Sequence, residues 1–236
     1  SKKIHPVIYA YNIKYVINVS YSSNISLALQ FLKKIIHYKT ITYQYSFMRE
    51  ANPTMSSTSD YMLIFSNYFK PIFKNNFAQP KKILESGYIY SLQNQNNKSL
   101  ISNYKKRFNL KGKFVISFFD ENCDDGMWTL VNKREMQKNY ELLSNFILKN
   151  KDIVVLIKTQ FLKNIPSKLF KSDKINEALK TKRLIELFKV NNEINCFNIR
   201  NDILPQEAAM LSNITISQKY GATTSLESGI VNCRNI

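Results

Sequence analysis

Cysteine is scarce. The chain has three, Cys123, Cys196 and Cys233, far apart and with no CxxC pair. That spacing fits neither a disulfide framework nor a zinc site and points to a reducing compartment. No apolar run approaches the roughly 18 to 20 residues that a bilayer-spanning helix needs. The opening SKKIHPVIYAY lacks the pattern of a signal peptide. The expected location is therefore cytoplasmic, with attachment to the inner face of the membrane at most peripheral. There are two histidines, His5 and His37, and His37 ends a helical segment, where an imidazole commonly meets terminal carbonyls. P-loop, GxSxG, HExxH and GxGxxG patterns are all missing, which disfavours P-loop ATPases, the usual α/β serine hydrolases, zincins and ordinary dehydrogenases.

Acidic residues are also few beside the basic ones. The 236 residues carry a formal charge of +17, with 44% hydrophobic and 13% aromatic content. The length supports one large domain or two small Rossmann-like ones, and the hydrophobic content is that of a globular chain. The charge fits a negatively charged partner such as a nucleotide, nucleic acid, an anionic membrane surface or an acidic glycan, or else a lysine-rich solvated surface.

Strand and helix patterns alternate along the chain, which favours parallel sheets. Strands are expected at Tyr15 to Ser20, Thr40 to Tyr45, Asp60 to Phe65 and Lys82 to Gly87. A helix is expected over Asn24 to Ile36, and a short helix interrupted by Pro71 after the third strand. The polar run Gln93 to Lys98 is the expected linker, giving domains 1–97 and 98–236. Beyond it the pattern predicts strands at Lys113 to Phe118, Asp152 to Ile157 and Asn195 to Ile199, with helices at Lys133 to Lys149 and near Asn176 to Val190. The closing CRNI reads as the start of another strand, and the first strand arrives without an earlier partner. Both features make the sequence look incomplete at each end.

The stretch Pro205 to Gly229 concentrates the candidate chemistry. It reads as a short helix from Pro205, a strand at Ile214 to Ser217, a loop through Gly221 and a helix starting near Thr224. At the carboxyl end of a parallel strand, the unpaired N–H groups of the next helix attract anions, so a phosphate or nucleotide site is expected there. Thr224 to Glu227 also fits a capping box, in which the Thr hydroxyl and Glu carboxylate satisfy first-turn donors without any ligand. Two further sites project from strand ends. Asp120, Glu121, Asp124 and Asp125 crowd one loop, where solvent, a sugar hydroxyl or a cation would relieve their repulsion. Their spacing is not that of an EF-hand loop. Lys158, after DIVVLI, stands where it could neutralise phosphate or simply mark the strand's end.

Four segments together resemble the GT-B glycosyltransferases of bacterial surface-polysaccharide synthesis, a group that includes capsule and lipopolysaccharide enzymes. More distant relatives of that group are CDP-glycerol glycerophosphotransferases and UDP-GlcNAc 2-epimerases. TITYQYS at 40–46 is similar to a strand ending in a Gln-His-Gly-type loop, and SDYMLIFS at 59–66 to an aspartate-then-strand step. KKILESGYIYS at 81–91 is similar to the strand and turn that close the N-terminal domain, and Pro205 to Gly229 to the donor-binding end of the C-terminal one. The sequence departs at Tyr45-Ser46, where His-Gly is common, and at Tyr88-Ile89, where a Gly-Pro-type turn is usual. It departs again at Thr159-Gln160, in place of the glycerophosphotransferases' His-Pro.

The resemblance implies an α/β, GT-B-like fold of two Rossmann-like domains. The N-terminal domain would be the acceptor side and the C-terminal one the donor side. It implies a nucleotide-sugar donor touching Gly221, Thr223, Thr224, Ser225 and Glu227, with Lys158 near the phosphate. The acceptor would be a glycan or lipid-linked molecule, and no metal or cofactor would be needed. Asp120 and Glu50 are the candidates for catalytic base. A sugar-nucleotide 2-epimerase on the same fold and a basic nucleic-acid-binding module are the alternatives. Nucleic acid is disfavoured because the lysines are dispersed and arginine is scarce beside them.

Overall fold

The computed structural model describes residues 10–18, 24–44, 57–76, 79–89, 98–120, 131–159, 170, 172–187, 203–217 and 223–236. The chain divides into two compact units, Ser1–Tyr90 and Ser91–Ile236.

The first unit carries four parallel strands in sequential order: β1 (Tyr15–Asn18), β2 (Lys39–Tyr43), β3 (Tyr61–Ile64) and β4 (Lys82–Glu85). Helix α1 (Asn24–Leu32) crosses from β1 to β2, and Leu29 and Leu32 pack with Tyr38 beneath it. Between β3 and β4, a 3₁₀ turn at Asn67–Phe69 runs into α2 (Lys70–Lys74). Pro71 lies in the first turn of α2 instead of interrupting a helix, because a first-turn N–H has no intrahelical partner to lose.

Two polar anchors fix this sheet at opposite ends. At the carboxyl end, the Tyr43 hydroxyl donates to the Gly87 carbonyl (3.1 Å) and accepts from the Ile89 N–H (2.9 Å). Gly87 turns at φ 76°, a conformation that favours glycine. Beside it the buried Gln44 side chain accepts from the Phe65 N–H at 3.0 Å. At the amino end, the buried Asp60 carboxylate accepts from Lys33, from the Thr40 N–H (2.9 Å) and hydroxyl (3.1 Å), and from Lys81 (3.1 Å). One side chain thereby ties α1, β2, β3 and the approach to β4 together.

The second unit is doubly wound. Five parallel strands stand in the order β7-β6-β5-β8-β9: β5 (Phe114–Phe119), β6 (Ile153–Lys158), β7 (Leu184–Leu187), β8 (Ile214–Ser217) and β9 (Arg234–Asn235). β9 is the strand that CRNI foreshadowed. Alternation along the central strands sends Ile116, Phe118, Val155 and Ile157 to one face, under α4 (Lys133–Lys149) and α5 (Asp173–Lys180). Val115, Phe119, Val154 and Leu156 go to the other, under α3 (Lys98–Arg107) and α6 (Pro205–Leu211). α7 (Thr223–Ile230) packs beside α6. Both faces of β5 and β6 are covered, which explains their near-continuous apolar sequence.

Two elements differ from the expected pattern. The helix expected near 176–190 is two elements: α5 ends at Lys180, the chain turns through Lys182 at φ 57°, and Leu184–Leu187 joins the sheet beside β6. The run LIEL is short and apolar enough for either state, and pairing with β6 decides it. Helix α3 occupies a stretch to which the sequence reading assigned no element. The strand expected at 195–199 lies outside the described residues.

Burial pushes the Asp60 carboxyl up, but the Lys33 ammonium, the Thr40 N–H and Lys81 outweigh it and hold the carboxyl well below the usual carboxylate range. With the folded value depressed, the carboxylate's contribution is complete above the unfolded value of about 3.9 and is lost as pH falls from there toward the folded value. Asp60→Asn is expected to cost on the order of 3 kcal/mol at neutral pH and to flatten stability against pH below about 4. Urea unfolding across that acid range checks it. Equal slopes in the two proteins would contradict this role.

Candidate functional site

The chain enters the second sheet at its centre, with β5, moves outward through β6 to β7, then returns to the other side of β5 with β8 and β9. The order reverses between β5 and β8. In open α/β sheets, ligands bind at the carboxyl ends of the strands at such a switch point. Here β5 leads to α4 on one face, and β8 leads to α7 on the other.

Strand register sorts the candidate side chains. Phe119 pairs with Lys158 on one side and with Ser217 on the other, so these three residues form a row across the carboxyl ends of β6, β5 and β8. The pleat turns this row toward the α3/α6 face, and α7 lies against the same side. Thr224 lies in the first turn of α7, and its hydroxyl donates to Ser217 Oγ at 3.3 Å. Asn235 of β9 donates from Nδ2 to both Ser217 Oγ (2.8 Å) and Thr215 Oγ1 (2.9 Å). The Thr215 hydroxyl donates to the buried Ser228 Oγ (2.9 Å), which donates to the Thr224 carbonyl (2.8 Å). This relay fixes the first turn of α7 over the end of β8, with Thr223, Thr224, Ser225 and Glu227 half-buried.

The helix begins at Thr223, so Thr224 is inside it and not the cap of a box with Glu227. The Thr224 hydroxyl donates to Ser217, and the start of a helix at a strand's carboxyl end is a place where an anion such as a phosphate is commonly received. Gly221 lies outside the described residues, as do Glu50, Glu121, Asp124 and Asp125.

Asp120 follows β5 by one residue, and the same alternation turns it to the α4 face, away from Lys158. It is buried, and one carboxylate oxygen accepts from the phenol of Tyr140, a fully buried residue of α4. Its N–H donates to the Lys158 carbonyl at 3.2 Å. This geometry anchors the end of β5 to α4 and gives Asp120 a holding role there. Lys158 is half-buried at the end of β6.

The sequence reading missed Ser217, Asn235, Thr215 and Ser228. Alternation in ITIS could have placed Thr215 and Ser217 on one face of β8, and Thr224 and Ser228 are spaced i, i+4 along α7. Nothing local marks Asn235. The sequence also gave no sign that Glu207 would be buried, with its carboxylate accepting the Leu204 N–H at 2.9 Å to cap α6. Among the described residues, no group of three or more His, Cys, Asp or Glu side chains is placed to hold a metal ion.

Ser228→Ala leaves the buried Thr215 hydroxyl only its longer, 3.4 Å bond to the Arg234 carbonyl and loosens α7 from β8. The expected cost is about 1–3 kcal/mol in the urea unfolding of the second unit. An unchanged midpoint would show that the relay does not hold the helix.

The sequence matches no protein-family model and no curated protein. Its fold has known counterparts. A glycosyltransferase from Rickettsia africae ESF-5 superposes with a TM-score of 0.53 at 16% identity, over 99% of this chain and 60% of its own. The wall teichoic acid polymerase TagF, in a structure soaked with CDPG, superposes with a TM-score of 0.52 at 16% identity, over 94% of this chain and 52% of its own. The chain thus spans 52–60% of the length of these two structures. The likeness is one of fold: α/β, with two parallel-sheet units of the Rossmann-like kind found in GT-B enzymes.

Proposed function

We propose that this chain is part of a glycosyltransferase that moves a sugar from a nucleotide-sugar donor to a surface-polysaccharide or glycolipid acceptor, without a metal. The observation that carries this reading is the switch point between β5 and β8, where a hydroxyl relay aims the first turn of α7 along the carboxyl edge. The fold shared with a glycosyltransferase and with a polymerase soaked with CDPG supports a nucleotide-linked donor.

In this reading the donor's diphosphate lies on the N–H groups of Thr223, Thr224 and Ser225, and Gly221 also touches the donor. Lys158 approaches from β6 to offset phosphate charge, and Glu227 accepts from ribose or sugar hydroxyls. An acceptor hydroxyl loses its proton and attacks the anomeric carbon, forming the new glycosidic bond as the bond to the nucleotide phosphate breaks. Helix-end N–H groups stabilise the departing charge, and being fixed beforehand they need no reorganisation. A base must reach the acceptor hydroxyl. Asp120, whose carboxylate also accepts from Tyr140, and Glu50 are the candidates for that base. The second unit is the donor side and the first the acceptor side. No helix among the described residues is long and apolar enough to cross a membrane, and we place the protein in the cytoplasm, peripheral on the membrane's inner face.

A thermal-shift panel of nucleotides and nucleotide sugars should identify the donor, because a ligand of the native state raises apparent stability. Against that donor, Glu227→Gln is expected to weaken binding about tenfold, the loss of one good hydrogen bond to the ligand, and adding Thr224→Ala to weaken it further by releasing the first turn of α7 from Ser217, with the circular-dichroism spectrum unchanged. Unchanged affinity by calorimetry would overturn the assignment.

A further inference from the structure

The edge of the second sheet opposite the candidate site has its own chemistry. All five strands are parallel, so every connection entering a strand emerges at the amino-terminal edge. The connections into β5, β6 and β7 are strongly basic. The last turn of α3 holds three consecutive cations, Lys105, Lys106 and Arg107, and Lys111 follows before β5. Lys149 and Lys151 flank the turn into β6, and Lys180 and Lys182 the turn into β7. All eight are exposed. Against them stand Asp152, already paired with Lys113 at 3.1 Å, Glu177 in the last turn of α5, and Glu186. None of the eight forms an ion pair with another described residue.

The edge is also held rigid and carries apolar side chains. Arg183 donates to the carbonyls of Ile147 and Asn150, closing the end of α4 against the start of β7. Phe114, which opens β5, is 43% exposed, and Phe146, in the last turn of α4, is 44% exposed. Among the cations lies a cavity of about 540 Å³, with Arg107, Lys113 and Lys182 around it and Phe108, Val154 and Leu179 also lining it. That volume is within the ordinary range for small-ligand sites.

We propose that this amino-terminal edge docks on an anionic phospholipid surface, with one lipid headgroup seated between Arg107 and Lys182. Clustered cations give long-range attraction to anionic lipid, and exposed aromatic rings give the contact an apolar component that a purely electrostatic partner would not use. The basic and apolar features occur together on one edge, which favours a lipid surface over nucleic acid. The inference does not rest on the donor assignment, since it concerns the opposite edge of the sheet.

The test is cosedimentation of the 236-residue chain with vesicles made of equal parts phosphatidylglycerol and phosphatidylcholine, against phosphatidylcholine alone. Binding is expected to the anionic vesicles only, and to weaken as salt rises. Arg107→Glu with Lys182→Glu should reduce it by at least about tenfold. The milder pair Lys105→Gln with Lys106→Gln should reduce it less while leaving the packing around Phe108 untouched. Lys70→Glu with Lys74→Glu, an equal charge change on α2, should leave it unchanged. Phe146→Ser should weaken the part of binding that survives high salt. Equal binding to neutral vesicles, or equal losses from the edge and α2 reversals, would overturn the proposal. So would duplex nucleic acid bound through Arg107 and Lys182 in the absence of vesicle binding.

Discussion

The hydroxyl relay between β8 and α7 is the contact on which the account of this protein depends. Thr215, Ser217, Thr224, Ser228 and Asn235 come from two strands and one helix and satisfy one another at the switch point of the second sheet. Each bond adds only about 0.5–1.5 kcal/mol net, but a buried hydroxyl left without a partner costs about 1–3 kcal/mol. The relay therefore works mainly by exclusion: arrangements of α7 that break it strand buried polar groups. An apolar contact would bury area without dictating where the helix begins. The relay dictates it, and the first-turn N–H groups follow.

The two ends of the second sheet divide the chemistry. At the carboxyl end, register aligns Lys158, Phe119 and Ser217 beside α7, and Asp120 is drawn to the other face by Tyr140. At the amino end, connections rich in lysine meet exposed phenylalanines. A parallel sheet produces this separation automatically, because incoming and outgoing connections cannot share an edge. The first unit uses its two ends differently. The Asp60 cluster fastens its amino end, and Tyr43, Gln44 and Gly87 fasten its carboxyl end.

Much of this was legible in the sequence. Buried strands such as FVISFF and IVVLIK announce themselves because both faces are covered, and α4 shows its apolar stripe through Met136, Tyr140, Leu143 and Ile147. The α/β alternation and the switch-point stretch followed from them. The split of 176–190 into α5 and β7 was not legible, since LIEL becomes a strand only by pairing with β6. Helix α3 carries a usable signal in Ile101 and Tyr104, followed by Phe108 just past its end, at spacings of three and four, but the polar run before it reads as a linker. The relay was hidden for a different reason. Its members lie up to 20 residues apart in sequence, and only the parallel pairing of β8 with β9 brings Asn235 to Thr215.

Asp120 shows what local reading cannot supply. A carboxylate at a strand's carboxyl end is a candidate base by position, and a period of two turns it under α4, where a tyrosine 20 residues away also holds one oxygen. The most direct test of the central claim is a crystal structure with a nucleoside diphosphate. Its phosphates should lie within hydrogen-bonding distance of the first-turn N–H groups of α7, beside Ser217. Phosphates bound only at the Arg107 and Lys182 edge, with the start of α7 empty, would contradict it.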